Sequence, residues 1–170
     1  MSGSRKAILG LALLCCAAIP ALAGTTMQAA KGADGPTVAV LVHLQDIGDR
    51  TGSSGEWVGT KGESRRLEGF SFQLRNAPAD LGIEYMCHLE GVGDTKWMAG
   101  GEFCGTRGES RRVEGFAVRL TGAAKDRFQV RYAGHLQDVG DTAEVGDGEF
   151  CGTRGQSRRL EALIIRVAPR

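Results

Sequence analysis

A fourteen-residue phrase occurs three times in this chain, at Gly55 to Glu68, Gly101 to Glu114 and Gly148 to Glu161. The second and third copies agree at 12 of 14 positions, and the first and second at 10 of 14. Each phrase is preceded by a His-Leu pair (His43-Leu44, His88-Leu89, His135-Leu136) and a Gly-Asp pair (Gly48-Asp49, Gly93-Asp94, Gly140-Asp141), with periods of 45 and 47 residues. A unit of this size buries too little apolar surface to stand alone, so three consecutive units must share one core. The repeats run over 38–74, 81–120 and 128–167, within a single domain expected over 38–170.

Periodicity within the unit predicts β-structure throughout. Val38, Val40, Val42 and Leu44 alternate with their neighbours, as do Ile83, Tyr85, Cys87 and Leu89, then Phe128, Val130, Tyr132, Gly134 and Leu136. The unit closes on a second alternating strand, with Phe70, Phe72 and Leu74 matched by Phe116, Val118, Leu120 and by Leu163, Ile165, Val167. Between them come a Gly-Asp turn, a loop or short hairpin through Trp97-Met98, a short strand over 102–106 and a glycine turn at Gly108. The fold class is therefore all-β with pseudo-threefold symmetry: a β-prism of three small antiparallel sheets, or alternatively a β-trefoil. A propeller, which needs at least four blades, is disfavoured.

The long motif resembles the clostridial hydrophobic W repeat: Gly-Thr-x-Gly-(Glu/Gln)-Ser-x-Arg-(Leu/Val)-Glu is met three times here, and His-Leu-Gln-x-(Ile/Val)-Gly in the first and third copies, with Glu90 in place of the glutamine in the second. The resemblance implies a bacterial extracellular or surface protein with adhesion or polysaccharide-binding modules. One departure stands out. Asp49, Asp94 and Asp141 occupy the place of the tryptophan that follows the first glycine in that family, and only Trp97 keeps the second aromatic position. The stretch from Gly152 to Ile165 is also similar to the last strand of jacalin-like β-prism lectins.

The N-terminus reads as a secretory signal peptide over 1–23: Arg5 and Lys6, an apolar run over 7–18, and Pro20-Ala21-Leu22-Ala23 as the cleavage site. That run is shorter than the roughly 20 residues of a membrane span, so the expected location is extracellular or periplasmic, without a membrane span. Residues 24–37 form a small, Gly/Ala-rich N-terminal segment. Cys87, Cys104 and Cys151 remain after processing; in an oxidising compartment they imply one disulfide and a free thiol, or an intermolecular bond, with the pairing open.

The 21 Lys and Arg nearly balance 20 Asp and Glu without a basic block, which excludes nucleic acid as the main partner. The candidate ligand-binding residues are His43, Asp49, His88, Asp94, Trp97, His135 and Asp141, because imidazoles, carboxylates and an indole suit sugar hydroxyls and ring faces. Structural hydrogen bonding and turn formation are the competing roles for the His and Asp sets. No residue is assigned as catalytic or as a metal ligand, and no cofactor is required; Ca²⁺ is the one cation the aspartates would suit. Arg66, Arg112 and Arg159 stand two residues before Glu68, Glu114 and Glu161, within ion-pairing reach along a strand. Triplication favours multivalent binding over catalysis, which needs one asymmetric constellation. The expected partner is a polysaccharide or glycoconjugate, with a protein partner as the alternative.

Overall fold

A computed structural model describes residues 35–170; the signal-peptide reading and most of the N-terminal segment fall outside the described residues. Repeat 1 folds into β1 (Thr37–Leu44), β2 (Gly48–Ser53), β3 (Val58–Gly59) and β4 (Leu67–Arg75). Repeat 2 supplies β5 (Gly82–Leu89), β6 (Gly93–Asp94), β7 (Met98–Ala99), β8 (Cys104–Gly105) and β9 (Val113–Thr121). Repeat 3 supplies β10 (Phe128–Leu136), β11 (Gly140–Asp141), β12 (Val145–Gly146), β13 (Cys151–Gly152) and β14 (Leu160–Pro169). The predicted alternating strands are all present, and a 3-10 turn at Lys125–Arg127 precedes β10.

Three separate antiparallel sheets form, each built on the long hairpin of one repeat: β1 with β4, β5 with β9, β10 with β14. The sheets are discrete, as in a prism, where a trefoil would build a barrel with a hairpin cap. Each sheet also borrows a short strand from another repeat. β8 pairs with β4, β13 with β9, and β3 of the first repeat with β14 of the last, which closes the ring.

The inward faces of the long strands meet in one core. Phe70, Phe72, Tyr85, Phe116 and Tyr132 are all buried, with Phe70 lying 5.5 Å from Phe116 and Phe116 5.3 Å from Tyr132 between ring centroids. The two tyrosines keep their hydroxyls satisfied by donating to the Glu102 and Glu149 carbonyls. Cys87 is bonded to Cys104, tying β8 in the first sheet to β5 in the second, while Cys151 is a buried free thiol. Tertiary placement thus resolves the pairing that the sequence left open.

One irregularity recurs in every sheet. Pairing runs His43 with Gly69 and then Leu44 with Leu67, so Glu68 is an extra, unopposed residue; Glu114 and Glu161 are its equivalents. This is a β-bulge. It breaks the alternation, so Leu67, Glu68, Gly69 and Phe70 are all buried in succession. The three glutamates are 2–3% exposed, and Arg66, Arg112 and Arg159 donate to them from Nε at 3.0, 2.9 and 2.8 Å. The predicted Arg–Glu pair is therefore present, with its carboxylate inside the protein.

The bulges also receive the borrowed strands. Thr106, Thr153 and Thr60 donate backbone N–H to the Glu68, Glu114 and Glu161 carbonyls, each at 2.9 Å. Gly105 lies so close that a Cβ there would sit 2.3 Å from the Glu68 carbonyl oxygen, and its φ of +119° is in the region that favours glycine. Two carboxylates reach across as well: Gly108 N–H donates to Glu68 at 2.8 Å and Gln156 N–H to Glu114 at 3.1 Å.

Truncating one member of a buried charge pair leaves the other unpaired, at a cost of about 3–5 kcal/mol. Glu114→Ala should lower unfolding free energy in urea by that amount. Reducing the Cys87–Cys104 bond, which spans 17 residues, should cost about 3 kcal/mol in the same assay.

Candidate functional site

Above each bulge, on the outward face of the sheet, runs a row of polar side chains. His43 pairs with Asp49 across β1 and β2, His88 with Asp94 across β5 and β6, and His135 with Asp141 across β10 and β11. In each couple the imidazole Nδ1 lies 2.6 Å from Oδ1 of the aspartate. This joins six of the seven residues proposed from sequence into three equivalent couples.

Each couple is capped by a cation from another repeat. Arg107 donates to both oxygens of Asp49 at 3.1 and 3.2 Å. Arg154 Nε lies 3.0 Å from both oxygens of Asp94, and Lys61 donates to Asp141 at 2.8 Å. The cations rest on aromatic rings four residues earlier: Arg107 on Phe103 at 3.6 Å, Arg154 on Phe150 at 3.4 Å, Lys61 on Trp57 at 3.4 Å. Such stacking over a ring face is attractive through the ring quadrupole. Beneath two of these rings lie Gly69 and Gly115, where a Cβ would meet the ring at 2.4 and 2.5 Å. The aromatic and basic members of these rows were missed in the sequence reading. Their signal was the fixed four-residue step within the repeated phrase.

Electrostatics follows the contacts. The hydrogen bond from Arg107, then that from His43, holds the Asp49 carboxyl below its ordinary range; Arg154 and Lys61 are the leading causes for Asp94 and Asp141. Because these carboxylates already face a guanidinium or ammonium, the arrangement does not fit Ca²⁺. Among the described residues no group of three or more His, Cys, Asp and Glu side chains could hold a metal ion.

Trp97 stands apart from the rows. Arg119 lies over its ring at 4.2 Å and is itself held by Glu84 at 2.7 and 2.9 Å, so one ring face is occupied.

Open polar surface lies instead beside the rows, where the turn of one repeat meets the His-Leu-Gln segment of another. A cleft of about 370 Å³ between repeats 3 and 1 is lined by Ser64, His135, Gln137, Val139, Arg159 and Glu161, among others. The equivalent glutamine in repeat 1 is engaged, since Arg66 donates to Gln45 Oε1 at 2.9 Å, and in repeat 2 Arg112 pairs with Glu90 at 2.7 Å. Gln137 and Arg159 make no such bond among the described residues. Val139 on the rim of this cleft and its repeat equivalent Val92 are exposed apolar side chains, 54% and 61% accessible.

Aspartates with lowered pKa contribute stability that is complete above the unfolded value near 3.9 and lost as pH falls through the folded value. Asp94→Asn should therefore lower Tm at pH 7, and the difference from the unsubstituted chain should shrink as the pH falls below the unfolded value in a series of thermal melts. Thr60, whose buried hydroxyl has no partner among the described residues, gives the opposite sign: Thr60→Val should raise Tm, because an unpartnered hydroxyl is costly to bury.

Neither the curated proteins nor the solved structures contain a match to this chain. The sequence profile of the clostridial hydrophobic W family matches it three times in tandem, at residues 43–76, 88–122 and 135–169. Repeats of this family occur in cell-surface-associated repeat proteins, with which a non-catalytic binding module is compatible. The three matches cover more than half of the sequence, and the chain belongs to the clostridial hydrophobic W family.

Proposed function

We propose that this is a secreted, non-catalytic binding module for carbohydrate or another cell-envelope polymer, with ligand seated in the cleft between repeats 3 and 1. The observation that carries the reading is the cleft between repeats 3 and 1, where Gln137 and Arg159 keep hydrogen-bonding capacity beside the exposed Val139. A sugar ring presents hydroxyls at its edge and C–H groups on its faces. An amide, a guanidinium and a serine hydroxyl next to an apolar ledge offer both kinds of contact. The signal-peptide pattern of residues 1–23 supports export to where such polymers are found.

Non-enzymatic action is supported by the state of the histidines. Each is bonded to an aspartate that a cation already neutralises, and among the described residues the three couples are equivalent rather than one being set apart. A protein-binding adhesion or inhibitor role is the second reading, favoured by the exposed Val92 and Val139.

Binding to a panel of glycans and cell-wall polymers tests the reading. Saturable binding should be competed by a simple saccharide and persist with a chelator. Gln137→Ala and Val139→Ala should each weaken it by about tenfold, equivalent to about 1.4 kcal/mol, while the remote, exposed Arg75→Ala leaves it unchanged. No binding across the panel would reject carbohydrate, and binding to a protein that excess saccharide fails to displace would establish the second reading.

A further inference from the structure

The three bulge glutamates are not equally bonded. Oε2 of Glu68 accepts the Gly108 N–H at 2.8 Å, and Oε2 of Glu114 accepts the Gln156 N–H at 3.1 Å. Glu161 is as deeply buried, at 3% exposure, and Arg159 donates to its Oε1 at 2.8 Å. The equivalent turn of repeat 1, around Gly62, gives no N–H to its Oε2, which accepts no hydrogen bond among the described residues. The unpartnered side-chain oxygens sealed away from solvent are the three threonine hydroxyls. Glu161 Oε2 is therefore open to the cleft between repeats 3 and 1 that Glu161 lines.

Other acceptors line the same cleft. His135 does so with its Nδ1 lying 2.6 Å from Asp141 Oδ1. A carboxylate only accepts, so the proton sits on Nδ1 and the neutral ring keeps a lone pair on Nε2. Asp138 is exposed and has no ion pair among the described residues, whereas its equivalent in repeat 1, Asp46, is paired with Arg65 at 3.4 Å. The charged lining residues are Asp138, Glu161 and Arg159, two carboxylates to one cation. Beside them Lys61 and Asp141 neutralise each other at 2.8 Å.

We propose that this cleft takes a primary ammonium group carried by an amino sugar. The inference rests on the carbohydrate reading above and narrows it to one sugar class. An ammonium brings three N–H donors and a positive charge, which meets the shortage of donors and the unmatched carboxylate together. A neutral hydroxyl meets the first and leaves the second. Charge-assisted hydrogen bonds are about twice as strong as neutral ones, and the burial of Glu161 strengthens them further. The remaining N–H groups of Arg159 and the Gln137 amide then serve the hydroxyl and ring oxygens next to the amine. At the other two junctions a backbone N–H completes the glutamate, so the preference for an amine belongs to this cleft.

Titration calorimetry of the purified chain with an oligomer of glucosamine and with its N-acetylated counterpart is the test. Acetylation removes the charge and all but one N–H, so the acetylated oligomer should bind about tenfold more weakly, the scale of one hydrogen bond to a charged group. Asp138→Asn suits the left-handed backbone at that residue, where φ is +60°. It should weaken the glucosamine oligomer about threefold, as for an exposed ion pair, and Asp46→Asn should leave its affinity unchanged. Glu161→Gln should weaken it about tenfold, while Glu114→Gln, the same change at a completed bulge, keeps full affinity and so separates lost binding from lost stability. Equal affinity for the acetylated oligomer, or an unaltered affinity in Asp138→Asn, would overturn the amine assignment and leave the carbohydrate reading standing. Displacement by a lysine peptide as effective as the oligomer itself would overturn it too, by placing the amine on a protein. Binding of neither oligomer overturns the assignment whatever a wider glycan panel shows, and only failure of that whole panel overturns the carbohydrate reading as well.

Discussion

Everything in this fold hangs on a carboxylate placed where carboxylates seldom go. Glu68, Glu114 and Glu161 are buried at β-bulges, and each ties two repeats together: its carbonyl accepts a backbone N–H from the borrowed segment while its side chain binds the arginine two residues earlier. Taking an ion out of water costs several kcal/mol unless it is fully bonded. A repeat folding alone would bear that cost without its neighbour's donors. The same device that links the sheets therefore makes the isolated unit unfavourable, and the last link, β3 on β14, closes the ring.

Outside the bulges the repeats have diverged in strength. The first junction is held by a doubly bonded Arg107–Asp49 pair and the Cys87–Cys104 bond, the second by Arg154 and Asp94, the third by a single Lys61–Asp141 contact. Exposed ion pairs are worth little individually, so these rows orient the turns more than they stabilise the whole. The consequence falls on the cleft between repeats 3 and 1. Where repeats 1 and 2 answer the bulge arginine with Gln45 and Glu90, repeat 3 leaves Gln137 and Arg159 facing open space. Three copies of one architecture thus provide one cleft with unspent hydrogen-bonding capacity.

Much of this was legible beforehand, residue by residue. Alternation located the long strands, because one buried face imposes a period of two. The Arg–Glu pairs followed from their two-residue spacing, whereas the His–Asp couples appear only once β1 and β2, β5 and β6, and β10 and β11 are in register. Other features were not readable. The bulge was hidden because an extra residue looks no different in sequence until its partner strand is in register. The cations capping the aspartates were hidden because Arg107 lies 58 residues from Asp49 and Lys61 lies 80 from Asp141. Those separations carry no local signal, and they changed the reading of the aspartates from free ligands to parts of the junctions.

The sequence by itself determined the all-β class, the three units, their shared core and the family, since repetition and hydrophobic period are local properties written along the chain. Tertiary structure alone decided that each unit lends its short strand to another, that Cys87 bonds Cys104 and leaves Cys151 buried, and which polar groups remain free. Those outcomes depend on which distant segments come within hydrogen-bonding distance, a matter of closure in three dimensions. Local preference has no means of encoding it.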